Sequence, residues 1–145
     1  MENSKKYQQL IRALLYIAVN TRQDIAASII TLSQYNRQHT TADWSEVKTI
    51  CRYLKRSTDY ALVLCWSCGK EMCLIGYADA DWAENHIDKK SGSGYMLKFS
   101  NTTTSWGCGK QTYVALSSSE AEYIALIETC QAVLWIHTDC WRISH

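Results

Sequence analysis

Two aspartates, Asp79 and Asp81, close an apolar stretch that begins at Leu74, and Trp82 follows them directly. Further on, two glutamates, Glu120 and Glu122, fall within the run SSSEAEY. Carboxylates serve general acid–base chemistry or hold a hard divalent cation, since magnesium takes carboxylate and water oxygens. Residues 74–77 read as a buried strand, being apolar or aromatic with one glycine. The acids then fall at or just past the strand end. If strand geometry continues through them, both point to one face, because side chains alternate with period two. Two acids on one face repel unless a cation or a basic group lies between them. The same residues also read as a turn acid followed by a cap acid, and the stretch alone leaves both readings open.

The glutamates separate more cleanly. Ser117-Ser118-Ser119-Glu120 has the form of a capping box, in which the Ser117 hydroxyl accepts from the Glu120 backbone NH and the Glu120 side chain reaches back. Glu122 points about 200° away around the helix axis and has no capping role. It is either a solvated gap in an apolar face or a ligand turned toward a sheet. A helix packed across the preceding strands could bring Glu122 near Asp79. Carboxylates from a strand and a helix start, sharing a divalent cation, form a pattern of metal-assisted phosphodiester hydrolysis.

The scaffold must come from 145 residues, 47% of them hydrophobic, enough for one ordinary domain or two small pieces. A net charge of +1 provides no general electrostatic attraction for nucleic acid, so such binding would need local patches. No apolar run reaches the roughly 18 residues that span a membrane, and MENSKKYQQL does not resemble a signal peptide. The expected location is intracellular, in the cytoplasm or nucleus. Seven cysteines, an odd number, read as free thiols in a reducing compartment. Cys65 and Cys68 have CxxC spacing, but no second pair completes a zinc site. Proline is absent, so the loops must turn on Gly, Asn, Ser and Asp.

The N-terminal part reads as three amphipathic helices. Tyr7, Leu10, Ile11, Leu14, Leu15 and Ala18 form the first stripe, with Ser4 as a cap. Ile25, Ile29, Leu32 and Tyr35 form the second. Trp44, Val47, Ile50, Cys51 and Leu54 form the third, capped by Thr40 or Thr41 and favoured by Asp43 and Glu46. Lys48, Arg52, Lys55 and Arg56 crowd the later turns of this helix, as a solvated face or as phosphate contacts.

The texture changes near residue 57. Residues 61–66 and 72–77 read as strands of a hairpin, 94–99 as another strand, 102–106 as a short segment, 107–109 as a turn and 111–116 as a further strand. Together they make an antiparallel meander. The helix from Ser117 is apolar widely enough to be buried on more than one side. The expected division is a helical segment over 1–60 and a sheet-and-helix domain over 61–145.

YADADWA, KKSGSGYMLKF, TSWGCGKQ and VALSSSEAEYIAL, in this order, resemble the ribonuclease H domain of copia-type retrotransposon Pol polyproteins. Upstream, LLYIAVNTRQDIA, LSQYNRQHTTADWSEVK and RYLKRSTDYALVL resemble the connection that follows the reverse transcriptase in those polyproteins. The resemblance covers nearly the whole chain. It implies a ribonuclease H-like fold, α+β to α/β in class: N-terminal helices, an antiparallel meander and a packed helix, with the later strands missing. It also implies cleavage of the RNA strand of RNA/DNA hybrids with magnesium as cofactor. Asp79 falls on the family's first catalytic aspartate and Glu122 on its helix glutamate, both as metal ligands. Asp81 becomes a neighbour of the site. Trp82, Trp106 and Lys110 match motif positions, and Lys89 and Lys90 match a basic pair, so the three lysines are candidate nucleic-acid contacts. The implied partners are a hybrid duplex and the reverse transcriptase portion of a polyprotein.

The family's third catalytic aspartate lies on the strand after this helix and has no counterpart among the residues up to His145. Asp139 is no substitute, being roughly 25 Å from Glu122 along a helix. Prolines common in the family are replaced at Gln23 and Tyr113. The expectation is a polyprotein fragment, ribonuclease H-like but catalytically incomplete alone. The alternatives are a nuclease completed by another chain and a non-catalytic remnant that binds nucleic acid or protein.

Overall fold

The computed structural model describes residues 2–64, 73–83, 88–100 and 102–144. The chain divides into two compact units, Met1–Leu62 and Val63–His145. The first holds helix α1 (Glu2–Asn20), a 3-10 turn (Gln23–Ile25), α2 (Ala26–Ser33) and α3 (Thr41–Arg56). The second holds strands β1 (Leu74–Asp81), β2 (Gly92–Phe99) and β3 (Thr102–Lys110) and helix α4 (Ser118–Ser144). The class is mixed α+β, with four helices and one three-stranded antiparallel sheet in the order β1-β2-β3. No described helix is long and apolar enough to cross a membrane.

In the helical unit most of the expected stripe residues point inward, but Tyr35, expected in the second stripe, lies past the end of α2 and is exposed. Tyr7, Ile11, Leu14 and Ala18 of α1 are buried with Ile25, Ile29 and Leu32, whereas α3 contributes Val47 as its one fully buried side chain. The Tyr7 hydroxyl donates to the Leu32 carbonyl at 3.0 Å, and its ring stacks on His39 with centroids 4.2 Å apart. Helix α1 already includes Ser4, which therefore does not cap it. Thr40 caps α3: its hydroxyl accepts from the Asp43 backbone NH, and the Asp43 carboxylate accepts from the Thr40 backbone NH at 2.6 Å.

Arg22 closes this unit. Its guanidinium donates to the Asp24 carboxylate and to both the carbonyl and hydroxyl of Ser57, and it lies 5.5 Å from the Tyr53 ring centroid. Tyr53 donates to Asp24 at 2.8 Å. The entry to α2 is thereby fastened to the end of α3.

The sheet departs from expectation in three places. Strand β1 runs four residues past Tyr77 and carries both aspartates within it, because β2 pairs with it along its full length, Asp79 opposite Gly94 and Asp81 opposite Gly92. Strand β3 continues through Gly107 and Gly109, where a turn was expected. Gly107 lies against the Tyr95 ring, and a Cβ there would fall 2.5 Å from Cε1, so this glycine serves close packing within the strand. Residues 111–116 form no strand; Tyr113, Val114 and Leu116 are exposed and no described strand lies beside them. Residues 61–64 are likewise irregular, while 65–72, including the CxxC pair, and 84–87 fall outside the described residues.

Helix α4 lies on the sheet face made by Gly76, Ala78, Ser93 and Leu97. Gly76 permits the close approach, since a Cβ would come 2.9 Å from Thr129 Cγ2. The buried side of α4 is narrow, Ala121, Ala125 and Thr129. Tyr123, Leu126, Ile127, Leu134 and Trp135 are exposed, contrary to the expected burial on more than one side, because the described sheet covers one face of the helix alone.

Candidate functional site

Asp79 stands within β1, exposed, and its Oδ1 accepts from the following Ala80 NH at 3.0 Å. Strand alternation places it with Ile75, Tyr77 and Asp81 on the face away from α4. Ala78 and Ala80 face the helix. Asp81 is the last residue of β1 and is also exposed.

Glu122 is positioned by the start of α4. The Ser117 hydroxyl accepts from the Glu120 NH at 3.1 Å, as the capping box requires. The Glu120 carboxylate reaches one residue beyond its expected target and accepts from the Leu116 NH at 2.6 Å. With Glu120 occupied there, Glu122 lines an open cleft of about 380 Å³ together with Ala78, Ser119, Tyr123 and Leu126. The structure thus sets Glu122 beside β1 at Ala78, the residue before Asp79. Asp79 is not among the residues lining that cleft. Among the described residues, neither acid has a cationic partner, and no three His, Cys, Asp or Glu side chains gather into a metal-binding group.

The basic residues have local roles. Lys110 pairs with Asp88 at 2.6 Å, and this bond holds the Asp88 carboxyl below the usual carboxylate range. Lys90 donates to the Thr112 carbonyl at 2.7 Å. Both lysines thereby tie the segment around 88–90 to the end of β3. Lys89 is exposed, with φ 56°.

Polar ties join the elements around the site. Trp82 Nε1 donates to the Ala115 carbonyl at 3.1 Å, joining the end of β1 to the approach to α4. Ser91, Ser93 and Gln111 are buried at the same end of the sheet. KKSGSGYMLKF and TSWGCGKQ marked these positions as motifs without indicating burial.

A three-stranded meander with a helix across one face, an acid inside its first strand and another at the helix start, defines a mixed α+β unit with a carboxylate-bearing end. Over 130 residues the chain is 38% identical to the Secreted RxLR effector protein 161 of Plasmopara viticola, covering 90% of each chain. It is also 38% identical over 130 residues to the retrovirus-related Pol polyprotein from transposon TNT 1-94 of Nicotiana tabacum. It is 34% identical over 131 residues to the corresponding polyprotein from transposon RE2 of Arabidopsis thaliana. These two matches span 90% of this chain but 10% and 9% of the polyproteins. The chain belongs to the family of retrovirus-related Pol polyproteins from copia-type transposons. No family model matches it, and no solved structure matches it.

Proposed function

We propose that the chain is a portion of a Pol polyprotein whose 61–145 part is ribonuclease H-like, acting on the RNA strand of RNA/DNA hybrids, and whose 1–60 helices adjoin the reverse transcriptase. The observation that carries this reading is a helix packed on an antiparallel meander, with an acid, Asp79, in the first strand and another, Glu122, near the start of the helix. Asp79 and Glu122 are the proposed magnesium ligands. Both are exposed oxygen donors without a cationic partner among the described residues. Asp79 points away from α4 and does not line the cleft of Glu122, so a shared cation would need the two carboxylates brought to one side of β1. Magnesium, when bound, supplies water activation and charge stabilisation for phosphodiester hydrolysis. Lys89 is the proposed phosphate contact, with Lys90 and Lys110 shaping the loop that presents it. The proposed location is the cytoplasm or nucleus.

These 145 residues hold two acids of the family's catalytic set, so the chain by itself is proposed to be catalytically incomplete. Incubation with a labelled RNA/DNA hybrid and magnesium tests this: no cleavage is expected. Robust cleavage abolished by both Asp79→Asn and Glu122→Gln would contradict the incompleteness while supporting the site. A second reading is favoured by the match over 90% of both chains to the Plasmopara viticola relative, a protein of similar length with an effector's name. On that reading the chain is a non-catalytic binding protein for nucleic acid or protein. Hybrid binding whose affinity falls with added salt, without cleavage, is its expected signature.

A further inference from the structure

We infer that helix α3 carries a contact surface for the phosphate backbone of a double-stranded nucleic acid, formed by Lys48, Arg52, Lys55 and Arg56. The inference rests on the reading that the chain binds nucleic acid, and it names the surface that does so. The formal charge of +1 conceals a division between the two units. Residues 1–62 carry nine lysines and arginines against five acids, whereas residues 63–145 carry six against nine. The helical unit is therefore net +4 and the sheet unit net −3. Such an asymmetry between two parts of a chain points to a polyanionic partner for the positive part. Four of the nine cations lie in residues 47–56, the later turns of α3, where there is no acid.

Helix geometry gathers these four into about 100° of the circumference, opposite the arc of Val47, Ile50 and Leu54. All four are exposed, and none has an acid partner among the described residues. The stripe is about 12 Å long, and a duplex carries one negative charge per about 1.7 Å of axis, so it can lie against several phosphates at once. Cations near a helix C-terminus also offset the helix dipole, but that effect is confined to the last turn. It accounts for Lys55 and Arg56 and does not reach Lys48 and Arg52. Those two are steadied by their own helix: Lys48 Nζ lies 5.5 Å from the centroid of the Trp44 ring, and Arg52 Nη2 donates to Thr49 Oγ1 at 2.8 Å. Both contacts hold a cation without neutralising it, which lowers the ordering cost of binding. An anionic membrane is the poorer fit. A helix lying on lipid buries an apolar face there, whereas Val47, Ile50 and Leu54 are buried or half-buried on the far side of α3.

The test is binding of the 145-residue chain to a short fluorescein-labelled RNA/DNA hybrid, read by anisotropy in the absence of magnesium at salt concentrations from about 50 to 200 mM. Four phosphate contacts predict that the logarithm of the association constant falls against that of the salt with a slope of about −3 to −4 in wild type. Lys48→Gln with Arg52→Gln keeps the helix propensity and should bring the slope about 2 nearer to zero. Lys55→Gln with Arg56→Gln is an independent pair with the same expected shift. Lys48→Arg with Arg52→Lys keeps both charges and should retain the wild-type slope. Arg12→Gln with Arg37→Gln removes the same charge from exposed positions elsewhere in the unit and should also leave the slope unchanged. Thermal melting confirms that each variant is folded. A slope that neither glutamine pair on α3 alters, or an equal change in the Arg12 and Arg37 pair, overturns the inference and leaves nucleic-acid binding standing. No salt-sensitive hybrid binding by wild type overturns both. Binding to phosphatidylserine vesicles in its place overturns the inference in favour of a membrane surface.

Discussion

The two units of the chain are stabilised in different ways. The helical unit buries large side chains, Tyr7, Ile11, Ile29 and Val47 all at 0% exposure, and closes with the Arg22 cluster. In the sheet unit Leu97 is the largest fully buried apolar side chain described, with alanines around it, and Ile75, Tyr77, Tyr123, Leu134 and Trp135 face solvent. Its order depends more on the strand ladder and on the ties at Ser91, Gln111 and Trp82. Large buried side chains confer stability with little chemical specificity, whereas directional bonds place particular groups. The candidate acids lie in the second kind of unit.

Substitutions can break or sharpen this contrast. The largest effect is expected at Ile29→Ala, which removes a fully buried side chain and should cost about 2–5 kcal/mol in denaturant-induced unfolding. Asp24 is next. The hydrogen bonds from Arg22 hold its carboxyl at about 2 against an ordinary 3.8. A lowered folded-state value means that its stabilisation is complete above pH 3.8 and is lost as the pH falls toward 2. Because the group is partly solvated, the contribution is about 1 kcal/mol. Asp24→Asn should flatten the melting temperature of the helical unit across that window.

A smaller gain is expected from Gln23→Pro. Gln23 opens the 3-10 turn, its NH has no hydrogen-bond partner among the described residues, and the preceding Arg22 at φ −123°, ψ 73° is outside the helical region that a following proline disfavours. Stabilisation of about 0.4–1 kcal/mol should appear as a higher denaturation midpoint. The smallest effect is expected at Leu134→Ser, on a side chain 64% exposed, where stability should change by less than about 0.5 kcal/mol while light scattering on concentration falls.

The helical stripes were legible because helix periodicity is local: Tyr7, Ile11, Leu14 and Ala18 repeat at the spacing that the fold buries. The sheet was legible less evenly. Gly107 reads as a turn residue in sequence, and only the Tyr95 ring across the ladder makes it a strand residue. The acids at 79 and 122 could be named from their neighbours and from the family motifs. Gln111 and Ser91 lie in the family motifs too, but their burial could not be read, because a polar side chain gives no local sign that it is buried. Its partners, Ala121 and Ala83, lie in other elements.

The central claim is that Asp79 and Glu122 act together on one cation. A Mn²⁺ titration of the wild-type chain against Asp79→Asn, Glu122→Gln and Asp139→Asn tests it most directly. The account predicts saturable binding in wild type and in Asp139→Asn, lost in each of the other two variants. Equal binding in all four proteins, or none in wild type, would contradict it.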